Sequence, residues 1–484
     1  QLPLTVDFND CGHILVVGSP GYGKSTFIQN ALIDVMRKTT PEQSHIYLYD
    51  FGTSGLISLV DFPHVADYFT ADDNEKVMKS LRRLQKEVKV RKAALSEARS
   101  SNMQQYNRDA VTPFPSLFIA IDSFDGVSDA TFSEAFNETV NILAREGASL
   151  GIYLITTMSR FNAMRVQLQA NFKTKIALYL FEQRDVTSIV GRTDQVLLDI
   201  RGRGLMKQDT VVSFQVCVPY AVEDNSSMIQ QVKAEAQEMS RYWTGALPHP
   251  IPMLPEVVTP EMVEAQVDRA ERNHQVLLGL TREMVEVAAF TLDKAISLVS
   301  DNVRSVTQFY KVLAYQLKQY TTPVQVVIVD PLGLVPLDQF KEAHRFSDTL
   351  SAKEGMNIIL DNLKERMTQP GEYTQSLIII PDIQILGQSL NITENQFKEL
   401  LLEGPKYGIT PVFVGNYKDL MTNYSTLVTL HRQLATQVFM GMRISDQEYV
   451  RFPYISNEKS PRPNEGYIVD AEGYEFVQLM SIEE

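Results

Sequence analysis

The chain has 484 residues, enough for two or three domains, and its 44% hydrophobic and 21% charged residues are an ordinary globular balance. A formal net charge of −14 excludes a broad nonspecific nucleic-acid footprint, which needs clustered Lys and Arg. No run of about 18 apolar residues offers a membrane span, no secretory leader is legible, and Cys11 and Cys217 lack metal-type spacing, so a reducing cytosol is expected.

In chain order, His13-Ile-Leu-Val-Val17 is apolar and β-branched and predicts a buried strand of a parallel sheet. Thr26 to Met36 carries apolar residues at helical spacing. Between them stand Gly18, Ser19, Pro20, Gly21, Tyr22, Gly23, Lys24, Ser25 and Thr26, which fit G-x-x-x-x-G-K-[ST], the nucleoside-triphosphate P-loop. The glycines let the backbone curl around phosphate, and the helix N-terminus adds open N–H donors. Lys24 is the candidate contact to the β- and γ-phosphates, and the Ser25 hydroxyl the candidate Mg²⁺ ligand. ATP and Mg²⁺ are therefore the expected cofactors.

Lys76 to Lys92 is the most basic run and lies in a long amphipathic helix, where a solvated face is the plain reading. Ser116-Leu-Phe-Ile-Ala-Ile-Asp122 is an apolar strand ending in a carboxylate, the Walker B form. It predicts Asp122 beside the P-loop, holding Mg²⁺ through water or through Ser25. Thr244 to Pro255 is Pro-rich, ends near Pro260 and is expected to be extended. It divides the chain into a first module over 1–243, a linker over 244–262 and a second module over 263–484. Leu247, Ile251, Met253 and Leu254 suggest that the linker lies on a surface.

The second module repeats the first. Leu15 to Phe27 pairs with Ser297 to Phe309, Ile46 to Asp50 with Val326 to Asp330, Ser116 to Asp122 with Ser376 to Asp382, and Gly151 to Ile155 with Gly408 to Val412. Gly204-Leu-Met and Phe214-Gln-Val pair with Gly466-Tyr-Ile and Phe476-Val-Gln. The phosphate chemistry does not repeat: Ser300, Val303, Ser305 and Val306 replace Gly18, Gly21, Gly23 and Lys24. Val306 is expected buried where a lysine would meet phosphate, and nucleotide binding there weak or absent. Glu264 to Glu286 has no counterpart in the first copy, so the sequence reads as a fragment beginning just inside a module.

Gly18 to Thr26, Ile121-Asp-Ser-Phe-Asp125, Gly151-Ile-Tyr-Leu-Ile-Thr-Thr157 and Gly202-Arg-Gly204, with the linker, resemble the FtsK/SpoIIIE group of P-loop translocases. Within it the chain is most similar to the EssC/EccC-type ATPases of type VII secretion systems, over essentially its whole length. The implied fold class is α/β: two tandem RecA-like P-loop modules with mostly parallel sheets flanked by helices. The resemblance further implies an ATP-driven motor on the cytoplasmic face of the cell membrane. It would work as a homo-hexameric ring with other modules of the same protein, and export small helical-hairpin proteins. Membrane segments would belong to missing upstream parts.

In the family a Glu follows the Walker B Asp and orients the attacking water; here that position is Ser123. Asp125 is the nearest spare carboxylate and the candidate base, with an N-cap or loop role as its alternative. Arg82 and Arg83, by position between the Walker elements, are candidates for the arginine that completes a neighbour's site. Thr157 is a candidate γ-phosphate sensor, or else caps a strand end. Two other readings stand beside the motor: an ATP-regulated binding module with little hydrolysis, and a DNA translocase, disfavoured by the acidic balance.

Overall fold

The structure is a computed structural model describing residues 4–221, 224–369, 371, 373–422, 425–450, 458, 460–470 and 473–482. It divides into two compact units, Gln1–Ile251 and Pro252–Glu484.

The first unit is a sheet of β1 (Ile14–Val17), β2 (Ser44–Asp50), β3 (Val65–Phe69), β4 (Ser116–Asp122), β5 (Ile152–Met158), β6 (Thr174–Leu178), β7 (Arg203–Lys207) and β8 (Val211–Gln215). Its order is β3-β2-β4-β5-β1-β6-β7-β8. Pairing is parallel through β6, while β7 and β8 add an antiparallel hairpin. Alternation explains why β1 is apolar at every position: Leu15 and Val17 pack into one face's core, Ile14 and Val16 into the other's. The helix Lys24–Lys38 lays Ile28, Leu32, Ile33 and Met36 on the second of these faces. The basic run falls in the helix Asn74–Glu97. There it is more than a solvated face: Lys76 pairs with Asp67 and Lys92 with Glu146, while Arg91 is fully buried against Glu87 and the Leu150 and Pro115 carbonyls.

The second unit contains β9 (Gln275–Thr281), β10 (Val287–Thr291), β11 (Ile296–Val299), β12 (Val324–Val329), β13 (His344–Phe346), β14 (Gln375–Ile380), β15 (Ile409–Gly415), β16 (Val438–Met440), β17 (Glu465–Val469) and β18 (Tyr474–Leu479). From the β13 edge the order is β13-β12-β14-β15-β11-β16-β17-β18-β9-β10. Its first eight positions reproduce the first unit strand for strand, parallel and antiparallel pairs included. The internal repeat is thus a repeat of topology. The β9–β10 hairpin, whose first strand comes from the stretch without a counterpart, extends the sheet past β18.

The Pro-rich segment is held on both sides of the division. In the first unit Ile251 is buried and its N–H donates to Asp67 at 2.9 Å, while Arg83 donates to the His249 and Pro250 carbonyls. In the second unit Val258 is buried and accepts from Ser481 N–H at 2.8 Å. Among the described residues no helix is long and apolar enough to cross a membrane. Cys11 is half-buried in the short helix Phe8–Cys11, burial raising its thiol to about 11, and Cys217 is exposed; both are free.

Candidate functional site

The P-loop leaves β1 and enters the helix at Lys24. Gly21 and Gly23 carry φ of 82° and 95°, a left-handed backbone that a side chain would strain. Gly23 stands at the helix N-cap without a side-chain cap, so the N–H groups of the first turn face the loop. Ser19 N–H donates to the Tyr179 carbonyl after β6, and Gly18 N–H to Met158 at the end of β5, fastening the loop on both sides. Tyr22 stacks on Tyr179 with ring centroids 4.5 Å apart and donates to Asp199 at 2.6 Å.

Lys24 is 8% exposed, and its ammonium donates to the Gly18 and Ser19 carbonyls at 2.8 and 3.2 Å. Burial lowers its pKa, opposed by Asp122 and Asp125. The Ser25 hydroxyl donates to Asp122 at 2.6 Å across the loop, bringing together the two sequence-predicted metal ligands. Asp122 is 2% exposed; burial raises its pKa, and the Ser25 and Thr157 hydroxyls and Lys24 oppose that rise. Thr157, fully buried at the end of β5, donates to the other Asp122 oxygen at 2.5 Å and accepts the Ser123 N–H at 2.9 Å. Its hydroxyl therefore orients Asp122 rather than standing free toward the loop.

Asp125 lies in the 3₁₀ turn Phe124–Val127 and accepts from the Ser159 and Arg160 N–H groups at 2.7 and 3.3 Å. Both its oxygens hold the loop after β5. Ser123 has φ of 59°. Arg82 is exposed and Arg83 is engaged with the 249–250 backbone; both sit on the helix Asn74–Glu97 and neither lines the cleft of their own module.

Sequence reasoning missed the loop after β2. Asp50, 3% exposed, accepts from Leu56 N–H and folds residues 51–55 back over the site. A Cβ on Gly55 would stand 2.9 Å from the Ser25 hydroxyl, and one on Gly52 2.6 Å from that of Ser123, so only glycine permits this approach. A Gly-x-x-Gly after the strand ending at Asp50 was the available signal. The resulting cleft, about 740 Å³, is lined by P-loop residues 20–26 in part, Gly52, Thr53, Ser123 and Ser159, and on its far side by Arg201, Gly202, Gln215, Val216 and Val218. Its volume suits a nucleoside triphosphate, and its hydroxyl–carboxylate pair is the donor set expected for Mg²⁺.

The corresponding place in the second unit has been rebuilt. The helix Val303–Gln319 begins one turn earlier than the pairing of Lys24 with Val306 implies, so residues 303–306 form its first turn instead of a loop. Asn302 accepts from Arg304 N–H and caps it, and Ser300 accepts from Asn302 N–H while donating to the Gly441 carbonyl. Val306 is half-buried in the core beneath. Two N–H groups at this place, those of Asn302 and Arg304, are thus already taken up by side chains.

A mostly parallel sheet with a P-loop after its central strand β1 and a carboxylate at the tip of β4, one strand removed across β5, defines a P-loop nucleoside triphosphatase fold; the second unit repeats its topology without the phosphate loop. Residues 1–207 match the model of the FtsK/SpoIIIE family. The chain is 31% identical over 99% of its length to the type VII secretion system protein EssC of Staphylococcus aureus (strain NCTC 8325 / PS 47), and spans 32% of that relative. Among solved structures it is similar to EssC ATPases 2 and 3 of Geobacillus thermodenitrificans, with TM-score 0.82, 26% identity, and coverage of 98% of this chain and 92% of that one. The fold is shared with Thermomonospora curvata EccC ATPases 2 and 3 in complex with a signal sequence peptide, at TM-score 0.58, 18% identity, and coverage of 99% and 90%.

Proposed function

We propose that the first unit binds Mg²⁺–ATP and that the chain is the ATP-binding part of a type VII secretion motor. The observation that carries the nucleotide reading is the Lys24–Ser25–Asp122–Thr157 cluster. It holds a buried carboxylate whose remaining desolvation cost a bound cation would offset. Lys24 would turn from the Gly18 carbonyl to the β- and γ-phosphates, while Ser25 and Asp122 would hold Mg²⁺, with Thr157 fixing the Asp122 rotamer. The ion neutralises charge on the phosphates. Hydrolysis by the chain alone is slow in this reading, because Ser123 is no base and Asp125 is committed to the Ser159 and Arg160 backbone. A regulatory role for bound ATP is favoured over fast turnover by the same observation. The completing arginine would come from a neighbouring copy in a ring, for which Arg82 and Arg83 remain candidates.

For the second unit we propose recognition of a substrate or partner segment. The first unit seats its own residues 249–251 against β3 and the helix Asn74–Glu97 through Arg83, Asp67 and buried Ile251. The corresponding place in the second unit, between β13 and the helix Thr349–Thr368, is a cavity of about 270 Å³ lined by Phe346, Gly355, Ile358, Ile359 and Arg366, among others. The peptide in the EccC structure supports this assignment by class of ligand. Small secreted helical-hairpin proteins are the proposed substrates, and a homo-hexamer at the cytoplasmic face of the membrane, anchored by other segments of the full protein, the proposed setting. DNA transport is disfavoured by the charge of −14. The test is binding of signal-segment peptides from such substrates to the chain and to Ile358→Asp, a substitution at a residue that is 50% exposed. Binding lost in the variant supports the reading; equal binding by both refutes this cavity.

A further inference from the structure

The P-loop accounts for only one side of the cleft. Ser123 and Ser159 follow β4 and β5, on one side of β1 in the sheet, whereas Gly202 and Val216 flank β7 and β8, on the other. With the β- and γ-phosphates placed by Lys24, Ser25 and Asp122, a nucleotide's sugar and base must run the other way, past Thr26 toward the hairpin. That wall is fastened to the loop. Gly202 N–H donates to the Tyr22 carbonyl at 3.1 Å, Val216 N–H to the Gly202 carbonyl at 2.8 Å, and the Gln215 carboxamide to the Arg201 carbonyl at 2.9 Å. Gly202 has φ of 73°, and a Cβ there would stand 2.7 Å from the Gln215 nitrogen, so its backbone is fixed against the wall. Val218 is 53% exposed and Arg201 is exposed, and both line this cleft. An exposed valine and a planar guanidinium beside a phosphate loop form a stacking surface for an aromatic ring.

We propose that the β7–β8 wall is the base subsite, and that Arg201 and Val218 hold a purine by stacking while contributing little to the phosphates. The proposal rests on the reading of the cleft as a nucleotide site. The larger ring system of a purine covers both residues, so ATP binds better than CTP.

The test is calorimetric titration of the 484-residue chain, and of Arg201→Ser and Val218→Ser, with Mg²⁺–ATP, Mg²⁺–CTP and inorganic tripolyphosphate. Each variant should weaken ATP roughly three- to tenfold, the scale of one or two carbons losing contact, and leave tripolyphosphate within about twofold. ATP and tripolyphosphate weakening in parallel would make these residues phosphate contacts and overturn the proposal. So would an unchanged ATP affinity in both variants, or ATP binding no tighter than CTP. If the unsubstituted chain binds tripolyphosphate but gains nothing from the nucleoside, the phosphate reading survives and the base subsite fails; if it binds neither, both fall.

Discussion

Asp122→Asn should make the protein more stable and less able to use its ligand. The Asp122 carboxylate is 2% exposed, and burial raises its pKa above the ordinary carboxylate value. Removing a carboxylate from water costs several kcal/mol, and the two hydroxyl donors, Ser25 and Thr157, each return about 1.5–3 kcal/mol. The raised pKa shows that burial outweighs these returns and the Lys24 charge, so at neutral pH the ionised group is a net burden on the order of 1 kcal/mol. Asparagine fits the same space, accepts from one hydroxyl and donates to the other. A gain of this size raises Tm by about 2–4 °C per kcal/mol in a unit of this length. The sign with pH follows from the raised pKa. The favourable contribution of protonated Asp122 is complete below about 4, the unfolded value, and is lost as pH rises through the folded value. The variant's advantage should therefore be full at pH 7 and shrink as pH falls toward 4. Saturating Mg²⁺–ATP at about 100 times Kd should stabilise the unsubstituted protein by about 2.7 kcal/mol and the variant far less. Thermal unfolding with and without Mg²⁺–ATP at pH 7 and 5 measures both. A variant less stable than the parent without ligand, or one stabilised equally by Mg²⁺–ATP, would refute the reasoning.

Thr157→Val removes the donor to Asp122 and orphans the Ser123 N–H, and should cost about 2–4 kcal/mol, read as a lower denaturation midpoint. The chain alone should turn over ATP barely above background, and Asp125→Asn should loosen the Ser159–Arg160 loop without abolishing nucleotide binding; fast turnover by monomers, unaffected by Asp125→Asn, would contradict this. Asp67→Ala should release residues 249–251, measured as faster amide exchange at Ile251, whose N–H it accepts.

What the sequence discloses depends on how local each feature is. The P-loop is legible because strand, glycine loop and helix are consecutive, and Ser25 meets Asp122 because both follow apolar strands that pair through β5 in one sheet. The decay of the second loop is also legible, but not its form. Whether residues 303–306 stay looped or coil depends on Asn302 capping the helix and on Ser300 reaching Gly441, a contact far along the chain. The Gly52–Gly55 loop escapes notice because its glycines fit no phosphate motif; they are needed only because the loop folds onto Ser25 and Ser123. Thr157 is found by type, yet its partner is a carboxylate and not the loop. The seating of residues 249–251 is invisible to pattern reading, since Arg83 and Asp67 bind backbone there, and backbone carries no residue signature.

The central claim, one working nucleotide site in a tandem pair, is tested most directly by the stoichiometry of Mg²⁺–ATP binding to the whole chain and to Lys24→Ala. The account predicts one nucleotide per chain, and in the variant an affinity at least about 100-fold weaker, as loss of a charge-assisted phosphate contact implies, with no residual second site. Two nucleotides per chain, or unchanged affinity in Lys24→Ala, would contradict it.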